Sequence, residues 1–396
     1  MKSPRALAVQ IGFLLLPIVI SLAVAAALVI AVGRDPLEVV DALWKGAFKD
    51  SRKLGGVFNF WIPLTLVSIG LVVTFRAGLW NIGVEGQMMM GALFASWGAQ
   101  YLPLGESLSP LLNLILIALS AVGGMFWAFV VGLLKIRLGV NEIFGGVALN
   151  ALVNVISIYL ISGPWQPRIG GSAQGTEPFP TPALLPEFSS RFPTNLFMIA
   201  LVIAAFIIVL ILLNATRWGL NLKAVGRNMR SALLLGVATE RTSMSAFLVC
   251  GALAGIAGSY RVLFTFDNLR PLASGGIGFL GLLVVLLLSI RLLWVPLIAF
   301  AFSAILTGST RLQIALKLDS SLAGVLQGML VLFVILFHGV QEVFFPGTLA
   351  DEEIEDPHPP APSPTGRERE VGTVELTKSD NSPLPRSGGG GLGVGA

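Results

Sequence analysis

The sequence predicts an all-α fold, a polytopic bundle of about ten transmembrane helices with one helix interrupted around 76–87, and three observations predict it. Hydrophobic residues make up 55% of the 396-residue chain and charged residues only 12%, with a mean hydropathy of +0.83. A soluble domain carries about 25% charged residues, so this composition cannot coat a water-facing surface. Ten charge-free stretches reach 19 residues or more: 6–33, 54–75, 86–105, 108–134, 143–167, 192–216, 242–260, 271–290, 292–310 and 320–341. About 20 apolar residues carry a helix across the hydrocarbon layer, and a helix satisfies its own backbone there. None of the stretches alternates with period two, as the strands of a membrane barrel do.

The first stretch follows Lys2 and Arg5. Its 28 residues exceed the h-region of a signal peptide, about 7–15 residues, so an uncleaved anchor is expected. Lys and Arg near the span ends set the orientation. With the N-terminus inside, inner segments hold Lys135 and Arg137, then Arg217, Lys223, Arg227, Arg230 and Arg241, while the outer segment 163–194 holds only Arg168 and Arg191. Segment 34–53 conflicts with this: it belongs outside yet carries Arg34, Lys45, Lys49, Arg52 and Lys53. The later loops and an even number of spans favour both termini inside.

Two units are expected, a membrane domain over 1–345 and a tail over 346–396. From Asp351 onward nine acidic residues face four basic ones, a net −5 that leaves +9 on the rest of the chain. Such an acidic, Pro- and Gly-rich segment cannot bury enough apolar surface to order itself, and a flexible cytoplasmic tail is expected.

Enzyme classes fall away early. One cysteine, Cys250, and two histidines, His338 and His358, leave no multi-cysteine metal site and almost nothing for zinc. The sequence has no G-x-x-x-x-G-K-[ST], G-x-S-x-G or H-E-x-x-H. Gly276-Ile277-Gly278-Phe279-Leu280-Gly281 fits G-x-G-x-x-G, but it opens an apolar span and Ala301 stands where the acidic partner belongs; helix packing is its expected use. Catalytic residues, metal ligands and cofactors are therefore all expected to be none.

The strongest local signal is Arg76-Ala77-Gly78-Leu79-Trp80-Asn81-Ile82-Gly83-Val84-Glu85-Gly86-Gln87. Glycines permit the backbone of an interrupted helix, and non-helical backbone at membrane depth must be buried in protein or line a cavity. Asn81, Glu85 and Gln87 then line a pathway with Gly83 and Gly86; the competing reading is a plain hairpin in headgroup water. Asn150 and Asn154, four apart, share a helix face and serve either interhelical hydrogen bonds or a solute. Gln327 sits inside the last stretch. Asn228 as N-cap and Gly236 as C′ stop frame a short helix from Met229 to Leu235, basic at Arg230 and apolar at Ala232, Leu233, Leu234 and Leu235. It wants a protein groove or a lipid surface. Gly251-x-x-x-Gly255 with Gly258, and Gly124 with Ala128 and Gly132, are close-packing devices.

In this order the segments resemble the permease subunits of bacterial binding-protein-dependent ABC importers, in the nucleoside and simple-sugar branch related to ribose and branched-chain amino-acid permeases. The match is carried by Gly78 to Gln87, by Val140-Asn141-Glu142 with Leu149-Asn150, and by Ala224-Val225-Gly226-Arg227-Asn228 through Gly236-Val237. Gly251 to Gly258, Gly278 to Leu282 and Val325-Leu326-Gln327-Gly328 complete it. The family usually has Glu-Asn-Pro where this chain has Arg227-Asn228-Met229.

The resemblance implies an inner-membrane pore subunit that performs no chemistry, with ATP used by a separate ABC ATPase subunit. It implies a second permease subunit, a paralogue, and an extracytoplasmic solute-binding lipoprotein; nucleic acid has no part. It also makes Gly226, Arg227, Asn228, Met229, Arg230, Ala232, Leu233, Leu234 and Gly236 the ATPase-coupling element, and Gly78–Gln87 the pathway for an uncharged, hydroxyl-rich solute. An ion-coupled secondary transporter, a permease for branched-chain amino acids and a membrane scaffold or receptor are the alternatives.

Overall fold

In a computed structural model of the chain, residues 19–336 are described, apart from 21, 32, 103–104, 168–173, 289, 318–323, 326–327, 330 and 334–335. The described elements are all helical: α1 Leu22–Ala31, α2 Pro36–Phe48, α3 Ser51–Arg76, α4 Val84–Tyr101, α5 Ser109–Ile136, α6 Glu142–Ser162, α7 Leu196–Ala215, α8 Arg217–Arg227, α9 Met229–Leu234, α10 Thr239–Tyr260, α11 Ile277–Leu287 and α12 Val295–Leu316. A π-helical turn, Arg261–Thr265, continues α10. Side-chain caps start many of them. Asp50 accepts from the Lys53 N–H, Asn141 from Ile143 and Asn195 from Met198, each satisfying a backbone donor that the first turn leaves open.

Among the described residues six helices are long and apolar enough to cross a bilayer: α3, α5, α6, α7, α10 with its π-helical turn, and α12 with the turn before it. They answer the charge-free stretches 54–75, 108–134, 143–167, 192–216, 242–260 and 292–310. The count of about ten is not reached among the described residues, and the reasons differ by stretch. Stretch 86–105 becomes α4, which is 18 residues long and buried over most of its length, but too polar to stand in lipid by composition. Stretch 271–290 yields only the 11 residues of α11, rising about 16 Å, half a bilayer. Most of 320–341, the first part of 6–33 and the whole tail from 346 lie outside the described residues.

The core is assembled around α10, which packs on α5, α3 and α4. A Cβ on Gly255 would run into the Ser120 carbonyl, one on Gly251 into Gly124 and Ala128, and one on Gly258 into the Met88 carbonyl. The G-x-x-x-G face of α10 therefore meets the small face of α5 backbone to backbone on one side and α4 on the other. This is the close approach that dispersion and helix–helix packing reward in lipid. The segment 174–195 is folded onto this end of the bundle, with Thr176, Phe179 and Leu185 donating backbone N–H bonds to Leu269, Asp267 and Leu263. Segment 34–53 is likewise structured, as α2 and the start of α3.

Gly255→Ala is expected to lower stability by about 1–3 kcal/mol through overpacking, read as a lower thermal midpoint of the detergent-solubilised chain. Gly105→Ala, where a Cβ would meet nothing within 4 Å, is expected to leave the midpoint unchanged.

Candidate functional site

The interruption foreseen in the sequence lies between Arg76 and Val84. Gly78, at φ +71°, closes α3: its N–H bonds the Phe75 carbonyl at 2.9 Å and the Leu79 N–H bonds Thr74 at 3.0 Å, the paired bonds of a left-handed C-terminal stop. The chain then turns back into the bundle. Asn81 is fully buried and donates to the Cys250 Sγ at 3.1 Å, while the Cys250 Cα faces Gly70. Asn81 is thus level with Gly70, six residues or about 9 Å up from the end of α3. The same level is eleven residues, about 16 Å, into α10. Non-helical backbone at that depth must be covered by protein: Asn81 and Gly83 are buried against α4, α6 and α10, while Gly78 and Trp80, nearer the end of α3, stay exposed.

Polar side chains stitch this segment down. Asn81 and Gln87 exchange reciprocal amide bonds of 3.1 and 3.0 Å. Asn150 of α6 accepts from the Gly86 N–H at 2.8 Å and donates to the Ile82 carbonyl at 3.0 Å. Gly83 is pressed against Gly146 of α6, where a Cβ on Gly146 would sit 2.6 Å from the Gly83 nitrogen. Glu85, 5% exposed, accepts from the backbone N–H of Gly276 at 2.8 Å and of Gly278 at 2.6 Å.

The G-x-G-x-x-G hexad is therefore an anion cradle at the start of α11, and its anion belongs to the protein. Gly276 adopts φ +76°, and a Cβ on Gly278 would lie 2.5 Å from the Glu85 Oε2. The α11 dipole adds to the attraction. Buried Arg261 supplies a further positive charge that interacts with Glu85; its own Nε donates to the Ala273 carbonyl at 3.1 Å, and its guanidinium lies 4.4 Å from the Phe266 ring centre.

Sequence reasoning gave this hexad to packing and missed Arg261, because the ligand lies about 190 residues upstream of its cradle. Trp127 of α5 stands against α4. The indole is buried over Gly86, with its Nε1 2.9 Å from where a Gly86 Cβ would stand. Neither that Nε1 nor the Asn154 Oδ1 has a hydrogen-bond partner, so Asn150 and Asn154 share a face but only Asn150 joins the network through bonds to the break. Gln327 lies outside the described residues. Among the described residues no three His, Cys, Asp or Glu side chains gather where a metal could sit.

A second cluster lies beyond α7. Gly226, at the end of α8, meets the end of α3 backbone to backbone; a Cβ there would strike the Arg76 carbonyl. Arg76 also donates to Asn214 at the end of α7, at 3.2 Å. After Arg227, Asn228 caps α9 by accepting from the Ser231 N–H at 3.0 Å. Gly236, at φ +81°, ends it with the same paired bonds, from Gly236 to Leu233 and from Val237 to Ala232. The helix stops at Leu234, one residue short of expectation. Ala232 is buried, whereas Met229, Leu233, Leu234 and Leu235 are exposed, Leu234 to 88%. Arg230 is exposed beside them. A single anchored turn therefore holds a cluster of apolar side chains clear of the bundle.

A model of the family described as branched-chain amino acid transport system / permease component matches residues 54–335. Among curated proteins, the chain is similar to the glucose ABC transporter permease protein TsgB13 of Haloferax volcanii, 27% identical over 82% of this chain and 87% of the relative. It is similar to the guanosine ABC transporter permease protein NupP of Bacillus subtilis, 29% identical over 83% of this chain and 94% of the relative. It is also similar to the nucleoside ABC transporter permease protein NupB of Lactococcus lactis, 28% identical over 74% and 82%. No solved structure matches the chain.

Glu85→Gln removes one of two acceptor oxygens from the cradle and turns an NH2 toward a buried N–H. An unpaired buried donor costs about 1–3 kcal/mol, so the thermal midpoint of the purified chain is expected to fall, and to fall less in Trp127→Phe, which removes a donor that already lacks a partner.

Proposed function

The chain belongs to the branched-chain amino acid transport system / permease component family, and we propose that within it the chain is the membrane subunit of an ATP-driven importer for nucleosides or simple sugars. The observation that carries this reading is the physical chain from α9 to the break. Exposed Leu233 and Leu234 sit on α9, which is anchored by Asn228 and Gly236. It follows directly on α8, whose Gly226 abuts Arg76 and Gly78 at the mouth of the buried segment.

In this reading the ABC ATPase subunit receives α9 in a cleft, and its closure on ATP drives α8 against the break. ATP binding biases two states of the bundle, and the permease itself does no chemistry. Gly226, Arg227, Asn228, Met229, Arg230, Ala232, Leu233, Leu234 and Gly236 form the coupling element. The pathway follows the break, with Asn81, Gly83, Glu85, Gly86, Gln87, Asn150 and Asn154 along it; Gln327 is assigned to it from the sequence alone. Alternative arrangements of these amides would open it.

The solute class rests on the relatives named for glucose, guanosine and nucleosides and on the chemistry of the break. Its amides suit hydroxyl and base edges, and its one carboxylate, Glu85, is already held by α11. Placing the coupling element inside makes the inner membrane of a bacterium the location, with both termini cytoplasmic. About ten crossings then comprise the six long helices, α4 sheltered by protein, the half-length α11, and the stretches 6–33 and 320–341. A paralogous second permease and an extracytoplasmic solute-binding lipoprotein complete the assembly.

Leu233→Asp with Leu234→Asp is expected to abolish co-purification of the ATPase subunit, and with it uptake into proteoliposomes supplied with ATP and the binding protein. Gly226→Ala is expected to keep co-purification while cutting uptake at least tenfold, because it disturbs the contact with Arg76 and leaves α9 intact. Uptake by the permease alone, with no ATPase present, would overturn the importer reading in favour of an ion-coupled transporter.

A further inference from the structure

Segment 34–53, whose basic residues conflict with an outer position, folds largely as α2. At about 100° per residue, its side chains fall into three stripes about 120° apart. Val39, Ala42, Gly46 and Ala47 are buried; Gly46 lies against Gly308 of α12, Ala47 packs with Val57 and Ala304, and Val39 and Ala42 pack with Val29 and Leu312. Glu38, Asp41, Lys45 and Lys49 form a charged, exposed stripe, in which Lys45 and Asp41 are paired at 2.7 Å. Leu37, Val40 and Trp44 form the third stripe. It is apolar yet exposed, at 76%, 61% and 65%. Phe48 extends it, its ring 4.7 Å from that of Trp44.

A helix with a packed face, an apolar face and a charged face needs three different neighbours. The first is α12. The chain supplies the location of the other two: α1, an apolar helix, precedes α2, and the membrane-crossing helix α3 begins at Ser51, two residues after Lys49. That places α2 where a span leaves the bilayer.

We propose that α2 lies flat in the membrane–water interface, with Leu37, Val40 and Trp44 in the acyl–headgroup boundary of the lipid and the Glu38–Lys49 stripe in water. The occupant of the apolar stripe is phospholipid, for three reasons. The stripe lies between an apolar helix, α1, and a membrane-crossing helix, α3, its aromatic pair suits the interfacial zone in which Trp concentrates, and amphipathic helices of this kind bury one face in that zone. Lys45 and Lys49 then sit on a folded, in-plane element at headgroup level. Lys49 and Lys53, both exposed, lie within reach of headgroup phosphates. The inference goes beyond the transport reading and needs only that the chain be embedded in a bilayer.

The test uses the full chain in nanodiscs made with acyl-brominated phosphatidylcholine and phosphatidylglycerol. The emission difference between wild type and Trp44→Phe isolates one of eight tryptophans. It is expected to lose most of its intensity to brominated acyl chains and little to aqueous iodide. Nitroxide labels at Val40→Cys and Glu38→Cys give an independent reading: the first is expected to collide with oxygen and the second with a water-soluble nickel chelate. Quenching by iodide alone, or a Val40 label relaxed by the nickel chelate, would place the stripe in water and overturn the proposal. Shielding of Trp44 from both quenchers would overturn it too, assigning the stripe to another protein chain.

Discussion

Backbone amides and carbonyls buried away from water must be paired, and the turn at Asn81 to Gly83 makes that demand inside the bundle. It is backbone without a helix's own bonds, level with the middle of α10. The surrounding architecture supplies what it lacks. Asn150 closes one N–H and one carbonyl, Asn81 and Gln87 satisfy each other, and Glu85 reaches over to the first turn of α11. Each partner stands on a helix that must approach closely, which is why small residues crowd the contacts around α10. The glycine-to-glycine crossings and the polar stitching are two sides of one requirement.

That arrangement also bears on how force travels. Helices in backbone contact, as α10 is with α5 and α4, have little freedom to slide, since any shift drives carbonyl into Cα. Displacement is more easily absorbed where contact is local and the chain is irregular. The junction of Gly226 with Arg76 and Gly78 is such a place, linking an exposed helix to a buried turn through one pair of glycines. The carboxylate of Glu85 then ties the turn to α11, a half-length element. In the proposed coupling, a push at α9 has a short route to the break and to α11.

Much of this was legible in the residues. Long uninterrupted apolar runs became spanning helices, because length and composition alone decide that outcome. The caps at Asn228 and Gly236 were legible because capping is local chemistry, complete within a few residues. The interruption was legible from its glycines and amides, although Val84 to Gln87 belong to the helix that follows it.

What escaped were relations across distance. The hexad at 276–281 carries the letters of an anion site, but the sequence does not say that Glu85 fills it, so packing was the reading left. Trp127 gave no sign that it would cover Gly86. Stretches 86–105 and 271–290 were counted as ordinary crossings because a window of hydropathy is blind to whether neighbours are protein or lipid. In segment 34–53, counting charges hid the fact that Glu38, Asp41, Lys45 and Lys49 share one side of a helix.

The position of Cys250 has a practical corollary. It is the chain's single thiol, fully enclosed, with Asn81 on its sulfur and Gly70 against its backbone. A maleimide in solution meets no reactive sulfur on the folded molecule. The natural polypeptide is thus its own labelling blank, and any reporter placed on its surface can be read without first engineering the background away.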